Sequence, residues 1–156
     1  MSTALLIGKY EHSLDGKGRV ILPSKFRQIF AWAGESYLTQ YFEGCLCLWT
    51  PAAFEAEVLS MQKEAAQGPA QRNLARIWAA GSTEVRLDGQ GRLAIPPHLR
   101  SFAGLEEEKP ILIQGAMDRV ELWQPERWQT TIGRNERRIF RMELEEEASE
   151  SADETG

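Results

Sequence analysis

The sequence predicts an α+β fold, mainly β, in which one chain carries two similar halves. A ten-residue segment occurs twice: LDGKGRVILP at residues 14–23 matches LDGQGRLAIP at residues 87–96, an offset of 73 residues. A later block, Leu48-Trp49-Thr50-Pro51, matches Leu122-Trp123-Gln124-Pro125 at an offset of 74. Short strand-like runs bounded by glycine and proline surround both segments. Two separated blocks that match in the same order indicate an internal duplication.

Each half is predicted to contain the same elements in the same order. A strand enters a glycine-rich turn, and a second short strand leaves it. Proline then ends that strand and begins a short helix, because proline suits a helix start but cannot donate a hydrogen bond to a strand ladder. Two more strands complete the half. The predicted ranges are 6–14, 19–22, 24–30, 37–42 and 45–49 in the first half, and 83–87, 92–95, 97–102, 111–114 and 119–123 in the second.

Helices are predicted after each half. Thr50-Pro51 is a typical helix start, and apolar residues follow it at helical spacing until Gly68-Pro69 breaks the pattern. Apolar residues from Trp128 to Phe140 indicate a second amphipathic helix. The expected organisation is a first half at 6–54, connecting helices at 55–82, a second half at 83–128, a C-terminal helix at 129–144 and a disordered acidic tail at 145–156.

The composition is that of a globular protein, with 42% hydrophobic and 26% charged residues. No apolar run approaches the roughly 18–20 residues needed to cross a bilayer. Residues 1–8 lack the basic and apolar regions of a signal peptide. A cytoplasmic location is therefore expected. Cys45 and Cys47 are interpreted as buried structural residues, with metal or redox chemistry as the alternative.

A net charge of −5 argues against nucleic-acid binding, but this charge is unevenly distributed along the chain. Seven of the 23 acidic residues lie in segment 143–156, which contains no lysine or arginine. Without that segment, 18 basic residues face 16 acidic residues, a net charge of +2. The composition therefore permits DNA binding without arguing for it.

The two Asp-Gly-x-Gly-Arg turns are the candidate functional sites. Glycines on both sides of one residue allow positive φ, and an aspartate four residues before an arginine can hold its guanidinium in a fixed direction. A guanidinium held in this way matches the O6/N7 edge of guanine. The alternative is a purely structural hairpin. The candidate DNA-binding residues are Asp15, Lys17 and Arg19 in the first turn and Asp88, Gln90 and Arg92 in the second.

Other chemistries lack support in the sequence. The turns have no Gly-Lys-Ser/Thr ending, so a phosphate-binding P-loop is excluded. The two histidines lie outside the turns, and no serine or cysteine motif stands beside a plausible base. We therefore expect no enzymatic activity, no cofactor and no metal.

The motifs EHSLDGKGR at residues 11–19, LPSKFR at 22–27 and LDGQGR at 87–92 resemble the MraZ family of bacterial transcriptional regulators, within the AbrB-like swapped-hairpin group. The resemblance covers about residues 6–142. It implies tandem AbrB-like swapped-hairpin halves that form one intrachain pseudo-dimeric β-barrel with peripheral helices. It also implies that Asp-x-x-x-Arg, at residues 15–19 and 88–92, is the DNA-contacting motif. Secondary candidates for DNA or phosphate contacts are Lys25, Arg27, Arg86 and Arg100.

The resemblance further implies a ring-shaped homo-oligomer, an octamer or a dodecamer. Such a ring binds double-stranded promoter DNA with repeated short G-containing boxes and represses the division and cell-wall gene cluster and its own promoter. Nucleoid association follows from this activity. Two alternatives remain open at this point: a ring-forming protein-interaction scaffold, and an AbrB-like antitoxin.

Overall fold

The computed structural model describes residues 5–155. Residues 1–4, part of the segment 1–8 that lacks signal-peptide features, and residue 156, at the end of the acidic tail, lie outside that range. The strands are β1 Lys9–Ser13, β2 Arg19–Ile21, β3 Ser36–Gln40, β4 Leu46–Trp49, β5 Thr83–Val85, β6 Arg92–Ala94, β7 Pro110–Gly115 and β8 Val120–Trp123. The helices are α1 Ser24–Ala33, α2 Pro51–Ala65, α3 Pro69–Gly81, α4 Pro97–Ala103, α5 Pro125–Thr131 and α6 Glu136–Glu154, with a 3-10 helix at Gly133–Asn135.

The chain divides into two compact units, one ending at Pro125 and one beginning at Glu126. The first unit contains both halves and the helices that connect them. It holds a six-stranded antiparallel sheet in the order β1-β7-β8-β4-β3-β5 and a separate ribbon formed by β2 and β6. The predicted α+β, mainly β class is confirmed.

The strands of the two halves are exchanged within the sheet. Strand β1 of the first half pairs with β7 of the second, and β5 of the second half pairs with β3 of the first. The central pair, β4 with β8, also joins the two halves, and so does the β2–β6 ribbon. The equivalent strands of the two halves are β1 and β5, β3 and β7, and β4 and β8. Each strand and its equivalent lie at the same distance from opposite edges of the sheet, so the sheet has an approximate two-fold arrangement. Neither half could form this sheet alone.

The closed barrel implied by the resemblance is not formed. Strands β1 and β5 lie at the two edges of the sheet, and no strand pairing joins them within residues 5–155. The ribbon instead covers the remaining side of the core, because Val20 and Leu93 are buried in the same cluster as the sheet residues Leu38 and Leu122. Apolar packing encloses this core without a continuous ring of backbone hydrogen bonds.

The boundaries of several elements differ from the predicted ones. Strand β1 begins at Lys9 rather than residue 6, because Gly8 has a φ of 100° and interrupts the extended backbone; Leu6 forms only an isolated bridge to Met117. The helix start at Thr50-Pro51 is confirmed, since the Thr50 hydroxyl accepts a hydrogen bond of 3.4 Å from the Ala53 amide. The predicted break at Gly68-Pro69 separates α2 from α3.

The C-terminal unit differs most from the prediction. A helix at 129–144 and a disordered tail were expected, whereas α5 ends at Thr131 and α6 continues to Glu154. Gly133, in the intervening 3-10 turn, accounts for the interruption, since glycine disfavours a helix interior. The tail is rich in glutamate and alanine, which are good helix formers. Among residues 5–155, no helix combines the length and the apolar character needed to span a membrane.

The two cysteines belong to a buried polar cluster. Cys45, Cys47 and Glu121 bring their sulfur and carboxylate atoms within 4.8 Å of one another. Both Glu121 oxygens already accept hydrogen bonds, from Trp123 Nε1 at 3.1 Å and from Arg119 Nη2 at 3.0 Å. Burial raises the pKa of the Cys47 thiol, so the thiol keeps its proton at neutral pH. A protonated thiol beside an occupied carboxylate favours the structural interpretation of these cysteines over a metal site.

The Glu121–Arg119 pair yields a stability prediction. Replacing Glu121, whose side chain is 8% exposed, with alanine leaves the largely buried Arg119 guanidinium without its main partner. We expect a loss of about 3 kcal/mol in the free energy of unfolding, measured by urea denaturation. The matched control is Asp118→Ala, because Asp118 pairs with Arg119 at the same 3.0 Å but is 59% exposed. That variant should lose less than about 1 kcal/mol. Equal losses would contradict the assignment.

Candidate nucleic-acid interface

The β2–β6 ribbon separates an apolar inner face from a mixed outer face. In the antiparallel register, Arg19 lies opposite Ala94, Val20 opposite Leu93 and Ile21 opposite Arg92. Side chains alternate across a strand, and the central pair is buried in the core. The outer face therefore carries Arg19, Ile21, Arg92 and Ala94. Ile21 was not among the candidates, although the same alternation in the sequence could have placed it there.

The first turn is built around one carboxylate. Asp15 Oδ1 accepts hydrogen bonds of 2.9 Å from the backbone amides of Lys17 and Arg19. Its other oxygen, Oδ2, accepts a hydrogen bond of 2.8 Å from Arg19 Nε. The Gly18 amide donates to the Asp15 carbonyl at 3.1 Å, and the Asp15 amide donates to the Arg19 carbonyl at 2.8 Å. This network confirms the predicted aspartate–arginine pairing.

The second turn repeats this network. Asp88 Oδ1 accepts 2.9 Å hydrogen bonds from the amides of Gln90 and Arg92, and Oδ2 accepts one of 2.7 Å from Arg92 Nε. The tips differ, because Lys17 is charged and Gln90 is neutral. The two turns thus share one geometry and differ in charge.

In both turns, the aspartate contacts the arginine through Nε. This contact fixes the direction of the guanidinium and leaves its two terminal Nη nitrogens, both donors, for another acceptor. The arginine side chains remain 27% and 24% exposed. An end-on pair of donors with a fixed direction is suited to a pair of acceptors such as O6 and N7 of guanine.

The carboxylates are held in their ionised form. The hydrogen bond from the Arg19 backbone amide is the largest cause that lowers the pKa of Asp15, to about 2. The equivalent bond from the Arg92 amide lowers the pKa of Asp88. Both aspartates therefore carry a full negative charge at neutral pH and orient their arginines there.

Each turn rests on an arginine from the opposite half. Gly18 and Gly91 have φ values of 74° and 76°, and a Cβ atom at Gly18 would lie 2.6 Å from Arg100 Cζ. A Cβ atom at Gly91 would collide with Cδ of Arg27. Backbone bonds also cross between halves, since the amides of Ile95 and Leu22 donate to the carbonyls of Gly18 and Gly91 at 3.0 and 3.3 Å. The positive φ favours glycine as the second glycine of each motif, and at Gly91 close packing against the Arg27 stem adds to this preference.

The secondary candidates occupy different environments. Arg100 donates to the Ile95 carbonyl at 3.0 Å and to Glu107 at 3.1 Å, so its contacts are those of a turn support. Arg27 has the equivalent place under the second turn. Arg86 and Arg27 line a concavity of about 380 Å³ beside that turn, and Lys25 lines another of about 300 Å³ beside β2. Arg27 and Arg100 are 73 residues apart, which is the offset of the first repeated segment. The sequence therefore already indicated that the two arginines occupy equivalent positions in the two halves.

The glycines provide a matched pair of variants. Gly91→Ala should lower the free energy of unfolding by about 2 kcal/mol, because alanine is strained at positive φ and its Cβ atom meets Arg27. Gly89→Ala is the control, since a Cβ atom at Gly89 meets no atom within 4 Å and its φ lies outside the left-handed region. The control should change stability by less than about 0.5 kcal/mol. Urea denaturation measures both variants, and equal values would disprove the close packing.

The Asp15 carboxyl provides a pH prediction. Its pKa in the folded chain is below its ordinary value of 3.8, so its contribution to stability is present above pH 3.8 and is lost as the pH falls towards 2. NMR titration of the side-chain carboxyl should give a midpoint near 2. A midpoint near 3.8 for Asp15 would contradict the hydrogen-bond network.

Comparison with known proteins agrees with the duplication. A family model described as "MraZ protein, putative antitoxin-like" matches residues 5–77 and again residues 78–152. Transcriptional regulator MraZ of Thermomicrobium roseum is 36% identical over 129 residues, which cover 80% of this chain and 84% of the relative. The protein of that name from Symbiobacterium thermophilum is 37% identical over 123 residues, or 78% and 86% of the two chains.

One solved structure, the solution structure of PHS018 from Pyrococcus horikoshii, matches with 16% identity and a TM-score of 0.33, over 78% of this chain and 91% of that chain. A likeness this weak carries no argument. The family model, by contrast, matches both halves in full, and the named relatives align along most of their own length. The chain therefore belongs to the MraZ family.

Proposed function

We propose that the chain is a sequence-specific DNA-binding transcriptional regulator that reads base edges with the outer face of the β2–β6 ribbon. The observation that carries the proposal is that both turns hold an arginine on that face through an ionised aspartate. The major groove of B-DNA admits a two-stranded β-ribbon, and arginine donating to guanine is its commonest specific contact. The names of the family relatives support the same role.

The register of the ribbon limits the site that it reads. Arg19 lies opposite Ala94, two residues along β6 from Arg92. Two residues of strand and one strand spacing separate the two Cα atoms by roughly 8 Å. Base pairs repeat about every 3.4 Å along DNA. The two arginines of one ribbon therefore address guanines about two to three base pairs apart, with Lys17 and Gln90 at the ends.

One ribbon has little net charge with which to attract DNA. Lys17, Arg19 and Arg92 are offset by Asp15 and Asp88, which leaves a net charge of +1. A ring of several copies on repeated G-containing boxes gains affinity by effective concentration, as expected from the resemblance. On this proposal the regulator acts at the nucleoid and represses the division and cell-wall gene cluster and its own promoter.

Two further functions compete with this one. Trp32, Leu59 and Ile77 are exposed apolar residues, which favours contacts with other protein surfaces and keeps the scaffold alternative open. The family description supports an antitoxin. A toxin gene beside this gene would favour the antitoxin, and retention of a protein rather than DNA on purification, without sensitivity to salt, would favour the scaffold.

Arginine variants test the proposal on a duplex that carries the repeated boxes from the promoter of the chain's own gene. Arg19→Ala should weaken binding at least tenfold, since one bidentate guanine contact provides roughly 1–3 kcal/mol of discrimination. Arg19→Lys should restore attraction to DNA but not the preference over a scrambled duplex. Fluorescence anisotropy measures both affinities, and circular dichroism checks the fold.

The control is Arg72→Ala, which removes the same charge from an exposed position on α3. It should leave the preference for the boxes unchanged. Arg92→Ala should have a smaller effect than Arg19→Ala if the neutral tip of the second turn makes it the weaker contact. Equal affinity of Arg19→Ala and the parent chain would rule out the proposed role of the first turn.

A further inference from the structure

The concavity of about 380 Å³ beside the second turn is lined by two arginines, Arg27 of α1 and Arg86, which directly follows β5. Within residues 5–155, neither guanidinium forms a hydrogen bond or an ion pair. Two positive charges that line the same space repel each other. An anion in contact with both would replace that repulsion with attraction.

The other charges around the concavity do not neutralise the two arginines. Asp88 also lines it, but Asp88 Oδ1 accepts hydrogen bonds from the amides of Gln90 and Arg92, and Oδ2 accepts one from Arg92 Nε. A Cβ atom at Gly34 would lie 3.9 Å from Arg86 Nη1, so Arg86 lies near the C-terminal end of α1. A helix end of this kind contributes roughly half a negative charge, which is less than the two positive charges.

The equivalent place beside the first turn is filled by the chain itself. Arg100, the equivalent of Arg27, donates from Nη1 to Glu107 Oε1 at 3.1 Å. A carboxylate that belongs to the loop after α4 therefore neutralises the arginine that supports the first turn. The loop after α1 supplies no such partner to Arg27 within residues 5–155.

The first glycine of each motif shows the same difference between the two places. A Cβ atom at Gly16 would lie 3.5 Å from Glu108 Oε1, in the loop that follows α4. A Cβ atom at Gly89, the equivalent position, would meet no atom of the described residues within 4 Å. Carboxylates thus lie beside the first turn, and the matching space beside the second turn has the arginines without the carboxylates.

The lining also has an apolar part. It includes Phe30, Ala31 and Leu87. Pockets for small organic ligands have volumes of roughly 300–1,000 Å³ and combine apolar lining with a few polar groups, so this concavity lies within their range. Guanidinium groups match the geometry of phosphate oxygens with two parallel hydrogen bonds. Two arginines beside an apolar lining therefore fit a phosphate group attached to an apolar carbon skeleton.

We propose that this concavity binds a small organic phosphate. Arg27 and Arg86 donate hydrogen bonds to the phosphate oxygens, and the carbon skeleton lies against Phe30, Ala31 and Leu87. The site is separate from the outer face of the β2–β6 ribbon and does not depend on DNA binding. Failure of the Arg19 variants therefore leaves it unaffected.

The DNA backbone is the competing source of a phosphate group. A backbone phosphate belongs to a duplex that is far larger than the concavity. It would contact the arginines at the rim and leave the apolar lining uncovered, whereas a free organic phosphate satisfies both parts of the lining. The size and the mixed character of the concavity therefore favour the small ligand.

Phenyl phosphate is the probe, titrated into the full chain by isothermal titration calorimetry in a phosphate-free buffer. One molecule should bind per chain, at least fivefold more tightly than inorganic phosphate, because the ring adds apolar burial. Arg86→Gln should weaken binding at least tenfold. Arg72→Gln, which removes the same charge from an exposed position on α3, should leave the affinity unchanged within twofold.

A second pair of variants keeps both arginines. Ala31 is exposed and lies four residues after Arg27 on α1. Ala31→Glu places a carboxylate within reach of the Arg27 guanidinium, as Glu107 is beside Arg100, and should weaken phenyl phosphate binding at least tenfold. Ala31→Gln, of the same size without the charge, should bind within twofold of the parent chain. Circular dichroism checks that both variants fold.

Three results would overturn the proposal: no saturable binding to the parent chain, equal affinity of the two Ala31 variants, or inorganic phosphate bound as tightly as phenyl phosphate. Duplex DNA provides the remaining comparison. If Arg86→Gln weakens duplex binding while the parent chain does not bind phenyl phosphate, the concavity holds the DNA backbone and the proposal is wrong.

Discussion

Hydrogen bonding between the two halves is the constraint on which the rest of the first unit depends. The β1–β7, β5–β3 and β2–β6 pairs all join residues that are far apart in the sequence. The same exchange brings Arg100 under the first turn and Arg27 under the second. Because each turn is supported by the opposite half, the geometry of one turn requires the folded structure of both halves. This explains why the ribbon and its supports occur in duplicate.

The exchange also places two equivalent arginines on one surface. An isolated Asp-Gly-x-Gly-Arg hairpin would present one guanidinium, whereas the antiparallel ribbon presents two at a separation fixed by the strand register. The buried Val20–Leu93 pair orients that surface away from the core. The tips of the two turns differ, because Lys17 is charged where Gln90 is neutral, so the two ends of this surface are unequal in charge.

The sequence predicted the features that depend on local chemistry. The repeat, the proline-initiated helices and the pairing of each aspartate with an arginine four residues later all follow from spacing and backbone preference, and the structure contains them. The support given by Arg27 and Arg100 depends on pairing between residues about 70 positions apart, which spacing within one half does not encode. The open sheet and the length of α6 were missed, because barrel closure depends on edge pairing and an acidic composition suits both a solvated helix and a disordered tail.

In each turn, the ion pair that fixes the direction of the arginine guanidinium also neutralises its charge. Each aspartate that orients an arginine also cancels its charge, so the net attraction of one ribbon to phosphates is small, although the direction of each guanidinium is fixed. On the proposed function, affinity would come from repetition, because several weak contacts on adjacent boxes combine multiplicatively while no single contact binds strongly to unrelated DNA. If the chain binds DNA as proposed, the low positive charge of each ribbon makes the affinity depend on how many copies bind adjacent boxes together.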